Sequence, residues 1–157
     1  MKRLRDLVNG DAFFGVRQEA VSALKSIHNR AALEALLTST KQSDAQVRIR
    51  VMDAIGAFYE DKAFAATVAA LDSEKNPDIL IESIQALAAQ PNKDVTARLI
   101  KFLEAKSFHE RVANTAISTL RSRRDPAAVA PIMDILDRKS TRLNSSHVSE
   151  SRMPSSA

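Results

Sequence analysis

Four stretches of this 157-residue chain share one apolar pattern: VRQEAVSAL from Val16, VRIRVMDAI from Val47, ILIESIQAL from Ile79 and VANTAISTL from Val112. They start 31, 32 and 33 residues apart. A near-constant period of that length means a stacked array, in which each unit hides its apolar face only against its neighbours. The first column is Val16, Val47, Ile79 and Val112; the sixth is Val21, Met52, Ile84 and Ile117; the ninth is Leu24, Ile55, Leu87 and Leu120. These positions fall on one broad face of a 3.6-residue helix. A second set, Leu36–Leu37, Thr67–Val68, Leu99–Ile100 and Ile132–Met133, follows each first column by 20 and 21 residues, with Leu71, Leu103 and Leu136 one turn later. Each unit therefore reads as two amphipathic helices joined by a short turn. The expected fold is an all-α superhelix, a solenoid of about four helical hairpins. Alanine and leucine carry most of the apolar surface, since only 4% of residues are aromatic, and small residues at regular spacing favour close helix–helix contact over a sheet sandwich.

Local signals mark the unit boundaries. Ser43–Asp44–Ala45–Gln46 has the spacing of a capping box, with Ser43 at the cap and Gln46 reaching back. Asn76–Pro77 and Asp125–Pro126 each supply a cap followed by proline at the first helical position. Pro131 falls inside the last helix and is expected to kink it or displace its start.

Two ends stand apart from the array. Leu4, Leu7 and Val8 read as the end of a preceding helix, because Leu7 stands nine residues before Val16 as Leu103 does before Val112. Residues 1–10 are thus expected to finish a truncated repeat, residues 11–136 to form the repeat domain, and residues 137–157 to be an unstructured tail. In that tail Ser, Arg and Asn dominate and no column continues. Its run DRKSTRLNSSH, with the closing SRMPSSA, resembles a translated adapter of short-read DNA libraries. The chain then reads as a slice of a longer protein, with Met1 an internal methionine.

The VRxxAxxAL-like segments VRQEAVSAL and VRIRVMDAI, with RDPAAVAPIMDIL, resemble the HEAT family, including its short lyase-type HEAT-like form. The third and fourth units depart from it at the Val-Arg pair, having Ile79–Leu80 and Val112–Ala113. HEAT arrays mostly bind other macromolecules, so the resemblance implies a scaffold. DAFFGVRQEAVSALKSI is similar, more narrowly, to the C-terminal HEAT-like region of bacterial zinc aminopeptidases of the aminopeptidase N type. Asp11, Phe13, Phe14, Gly15, Val16, Arg17, Glu19 and Ala20 carry that match. In that family the metal and peptide machinery lies in an earlier domain. The resemblance therefore implies a non-catalytic region that packs on the catalytic one, and no catalytic, metal or cofactor residue is carried over.

The residues themselves offer little chemistry. His109–Glu110 opens like a zinc-peptidase helix, but the second histidine position is Ala113. His28 and His109 read as turn or interface residues, and His147 lies in the tail. No phosphate loop, dinucleotide fingerprint or nucleophile elbow occurs. There is no cysteine, so no thiolate metal site or disulfide frame, which fits a reducing compartment. No apolar run is long enough to span a bilayer, and the basic start lacks the apolar stretch of a signal peptide. The expectation is a chain without catalysis or cofactor of its own, whose partner is protein: the missing catalytic domain or another chain.

The candidate interaction surface is basic: Arg17, Arg48, Arg121, Arg123 and Arg124. Arg17 and Arg48 share one column, where their expected role is to bridge a neighbouring turn's acid, for example Asp44, and secondarily to meet a partner. Arg121–Asp125 ends a helix, where positive charge suits the helix dipole; a phosphate-binding patch is the alternative reading. Nucleic-acid binding is disfavoured. Half of the net charge of +4 belongs to the tail, and the chain has one tyrosine, Tyr59, and no tryptophan for stacking. Phe13–Phe14 is read either as an exposed anchor or as burying against a preceding unit.

Overall fold

The computed structural model describes residues 2–138. Eight helices run in chain order: α1 Lys2–Gly10, α2 Phe14–Ile27, α3 Arg30–Leu37, α4 Ala45–Gly56, α5 Asp61–Ser73, α6 Pro77–Ala88, α7 Val95–Ile100 and α8 Arg111–Arg123. A ninth, α9, spans 129–138. Short 3₁₀ turns at Phe108–Glu110 and Pro126–Ala128 lead into α8 and α9. No strand occurs among the described residues. The units are α2/α3, α4/α5, α6/α7 and α8/α9. Asp137 and Arg138, assigned by sequence to the tail, lie in α9, and Arg138 pairs with Asp134 one turn back and with Glu104. The rest of the adapter-like stretch lies outside the described residues.

The repeat columns become the core, except for Val16, which is 38% exposed, and Ile117, which is half-buried. Val47, Ile79 and Val112 are no more than 1% exposed, as are Leu24, Ile55, Leu87 and Leu120. Each fully buried aliphatic side chain contributes about 1.5–3 kcal/mol. The first helices of successive units pack directly on one another, α2 on α4, α4 on α6 and α6 on α8, whereas the second helices meet one another far less. Small residues make this possible. A Cβ added at Gly56 would stand 2.6 Å from Ala86 Cβ, so α4 and α6 approach too closely for any larger residue there. The buried side chains form two clusters, one from Val8 to Ile79 and one from Leu71 to Ile135, which meet around α5 and α6. Helix α1 packs on α2 and α3, with Val8 buried.

Helix starts follow the cap chemistry with one correction. Asn29, Asp44, Asn76 and Asp125 accept hydrogen bonds from backbone amides two or three residues on. The cap of α4 is Asp44, not Ser43: its carboxylate accepts from both Gln46 N (2.8 Å) and Val47 N (3.1 Å). Pro131 is the third residue of α9, where its missing N–H falls among the amides that lack an intrahelical partner. The helix therefore starts shortly before it. The ends of α2 and α8 are less comfortable. His28 and Arg124 close them in left-handed conformation, φ 46° and 53°, where glycine is the usual residue.

Candidate interaction surface

The residue after the first column, Arg17 and Arg48 in the first two units, lies against the loops that join units, and the last turn of each first helix lies at the bend between the two helices of its unit. In unit one, Arg17 donates from Nη1 to Gln42 Oε1 at 3.1 Å, and Gln42 Nε2 donates to Asn9 Oδ1 at 2.8 Å. In unit two, Arg48 donates to the carbonyls of Gln42 (2.6 Å) and Ser43 (2.9 Å) and, through Nε, to Glu74 at 3.1 Å. Both arginines thus bridge neighbouring loops, but the expected acid is met by Arg48 alone, since Arg17 binds the amide of Gln42. The acid is Glu74 rather than Asp44, which is engaged in capping α4. Burial alone would raise the Glu74 carboxyl; the amides of Asn76 and Lys75, together with Arg48, outweigh it and hold the group below its ordinary range.

Units three and four carry Leu80 and Ala113 in this column. Beside Ala113 a cleft of about 540 Å³ opens, with Leu103, Ser107, Glu110, Ile135 and Arg138 around it.

The other basic residues divide. Arg123 donates from Nη1 to Ala88 O (2.7 Å) and Gln90 O (3.1 Å), so it meets the C-terminal carbonyls of α6. Its dipole complement belongs to the neighbouring helix and not to its own. Arg121 and Arg124 are exposed beside Ser118 and Ser122, around a shallow groove on α8. The five arginines therefore do not form one patch. Arg17, Arg48 and Arg123 are structural links, and Arg121 and Arg124 alone face outward.

Sequence reasoning missed a second row of contacts. The twelfth column, Ile27, Phe58, Gln90 and Arg123, has no common chemistry, yet three of its members reach back to the previous bend. Phe58 stacks on His28 at 4.3 Å between ring centres; buried Gln90 donates to Phe58 O at 2.8 Å; Arg123 takes the carbonyls just named. Thr96 adds a 2.5 Å hydrogen bond to Asp125. That bond, then the Ala127 amide and the nearby Arg123 charge, lowers the Asp125 pKa.

On the outer ridge of the first helices, Lys25 of α2 pairs with Asp53 of α4 at 2.7 Å. Glu82 of α6 stands nearby, its pKa raised first by burial and then by the Asp53 carboxylate, with Lys25 and Arg50 opposing. His28 and His109 lie in turns, each against an aromatic ring. Among the described residues no three His, Asp or Glu side chains gather in a way that could hold a metal. No helix among them is long and apolar enough to cross a membrane.

A family model for HEAT repeats matches residues 1–77 and again residues 64–148. The chain belongs to the HEAT-repeat family. The two matches overlap across α5 and the start of α6, where the two buried clusters also meet. No curated protein matches the chain significantly. HEAT repeats commonly serve as scaffolds and protein-interaction elements, and this array has their layered architecture.

Proposed function

We propose that this HEAT array is a protein-docking scaffold, a piece of the non-catalytic C-terminal region of a zinc aminopeptidase of the aminopeptidase N type. The observation that carries the scaffold reading is how the cations of the array are used. Arg17, Arg48 and Arg123 hold repeats to one another, so the outer surfaces are left as helical ridges and grooves that suit contact with protein. The narrower reading rests on Asp11, Phe13, Phe14, Gly15, Val16 and Arg17. Phe13 and Phe14 are 61% and 44% exposed and pack on each other at 5.1 Å, available to a neighbouring domain.

Size-exclusion chromatography of the chain with the catalytic region of such an aminopeptidase tests the proposal. A stoichiometric complex that weakens when Phe13 and Phe14 are both replaced by serine is the expected result. Failure to associate at tens of micromolar overturns the peptidase origin and leaves the free-standing adaptor. A nucleic-acid reading finds support only in Arg121 and Arg124, and retention of the chain on DNA at low salt would favour it instead.

A further inference from the structure

The internal joints of the array share one composition, except that Thr40 takes the place of the second-helix leucine at the first of them. The rear of one unit offers its sixth column and the second-helix leucine; the front of the next offers its first column. Ile79 shares a buried cluster with Met52, and Val112 shares one with Ile84 and Leu103. The same columns are open on unit four. Val21, Met52 and Ile84 are at most 2% exposed, while Ile117 is half-buried; Leu71 and Leu103 are 7% and 1% exposed, while Leu136 is 49%. Met133, at 52%, stands where Val68 and Ile100 are partly covered. Together with Val129 and Ile132 these side chains line a groove of about 560 Å³ between α8 and α9.

A charge marks the edge of this groove. Arg121 is nine residues after Val112, as Lys25 is nine after Val16. Lys25 is paired at 2.7 Å with Asp53 of the covering unit, six residues after Val47. Arg121 has no ion pair among the described residues and lines the groove. Residues 139–157 continue none of the apolar columns.

We propose that the face between α8 and α9 docks an amphipathic helix of a partner protein, bearing a β-branched aliphatic residue and, six positions later, a carboxylate for Arg121. It rests on the scaffold reading above and names the chemistry of the partner. The aliphatic stripe fills the groove over Ile117, Met133 and Leu136, and the carboxylate reproduces the Lys25–Asp53 pair three units further along, after two joints that carry Gly56 and Ala88 in that column. An uncharged helix of the same shape leaves Arg121 without a counter-charge, a basic one sets a like charge against it, and both bind less well.

The test uses the full chain and a peptide of residues 44–60, which carries Val47 and Asp53, closed into a helix by a lactam between the exposed positions 46 and 50. Methyl NMR of the chain is expected to show saturable shifts at Ile117, Ile132, Met133 and Leu136. Met133→Asp in the chain weakens binding at least about tenfold, and Asp53→Lys in the peptide weakens it about fivefold to tenfold. The Arg121→Asp chain recovers affinity for the Asp53→Lys peptide. Absent shifts at millimolar peptide, shifts on another face, or indifference to the charge exchange overturn the proposal. So does concentration-dependent broadening of these methyls without peptide, which assigns the face to a second copy. A peptide failure with the aminopeptidase complex intact removes this inference alone and leaves the scaffold reading standing.

Discussion

The two edges of the array are held together differently. Along the bends inside units, each joint has a link: a ring stack between His28 and Phe58, then Gln90 on Phe58 O, then Arg123 on Ala88 O and Gln90 O. Along the loops between units, the column of Arg17 and Arg48 carries Leu80 and Ala113 in the later units, where Arg111, from two positions earlier, pairs with Asp78 at 2.7 Å instead. The lesson is that repetition of structure does not require repetition of chemistry. One edge uses a ring, an amide and a guanidinium at equivalent places. The other repeats arginine at one position and then shifts it to another, with a cleft beside Ala113.

Substitutions can break this contrast. The largest effect is expected at Gln90, which is 2% exposed and donates to a bend carbonyl. Gln90→Ala leaves Phe58 O unpaired and opens a cavity, and should cost about 2–3 kcal/mol in urea denaturation. Arg123→Met removes two hydrogen bonds from a charged donor and should cost about 2 kcal/mol by the same measurement. Arg48→Met should cost about 1–2 kcal/mol at neutral pH. Its effect carries a pH signature. The folded Glu74 pKa is depressed, so its stabilisation is present above the unfolded value and disappears as pH falls through the folded one. The gap between wild type and Arg48→Met is therefore expected to narrow below about pH 4, whereas the gap for Gln90→Ala stays constant.

The smallest change has the opposite sign. Glu82 has a raised folded pKa, so its ionisation opposes folding as pH rises through that value. Glu82→Gln should stabilise by less than about 1 kcal/mol at pH 7, with the gain gone well below the unfolded carboxylate pKa. Thermal melts at both pH values read this directly.

What could be read from the sequence follows the same division. The apolar columns were legible because burial demands the same kind of side chain at each turn of the stack. Asn76–Pro77 was legible because proline and a cap residue have few other uses together. The choice between Ser43 and Asp44 was not, since both can cap; the carboxylate reaches two amides from one position. The bridging role of Arg48 was visible, but not its acid, because Glu74 belongs to a loop whose path only the packed array fixes. The bend-edge column stayed hidden because its members, Phe58, Gln90 and Arg123, resemble one another in nothing but position. The open face on α8 and α9 was visible only as a pattern that stopped. Its groove, and an Arg121 without an ion pair among the described residues, emerge only from the packed fold.

The contact at Gly56 and Ala86 also shapes how the molecule deforms. First helices pressed this tightly cannot slide past one another, while the second helices have little to hold them side by side. The assembly is therefore bound like a book along its spine. A ligand wedged among α3, α5 and α7 would fan the pages apart at their free margin without loosening the binding.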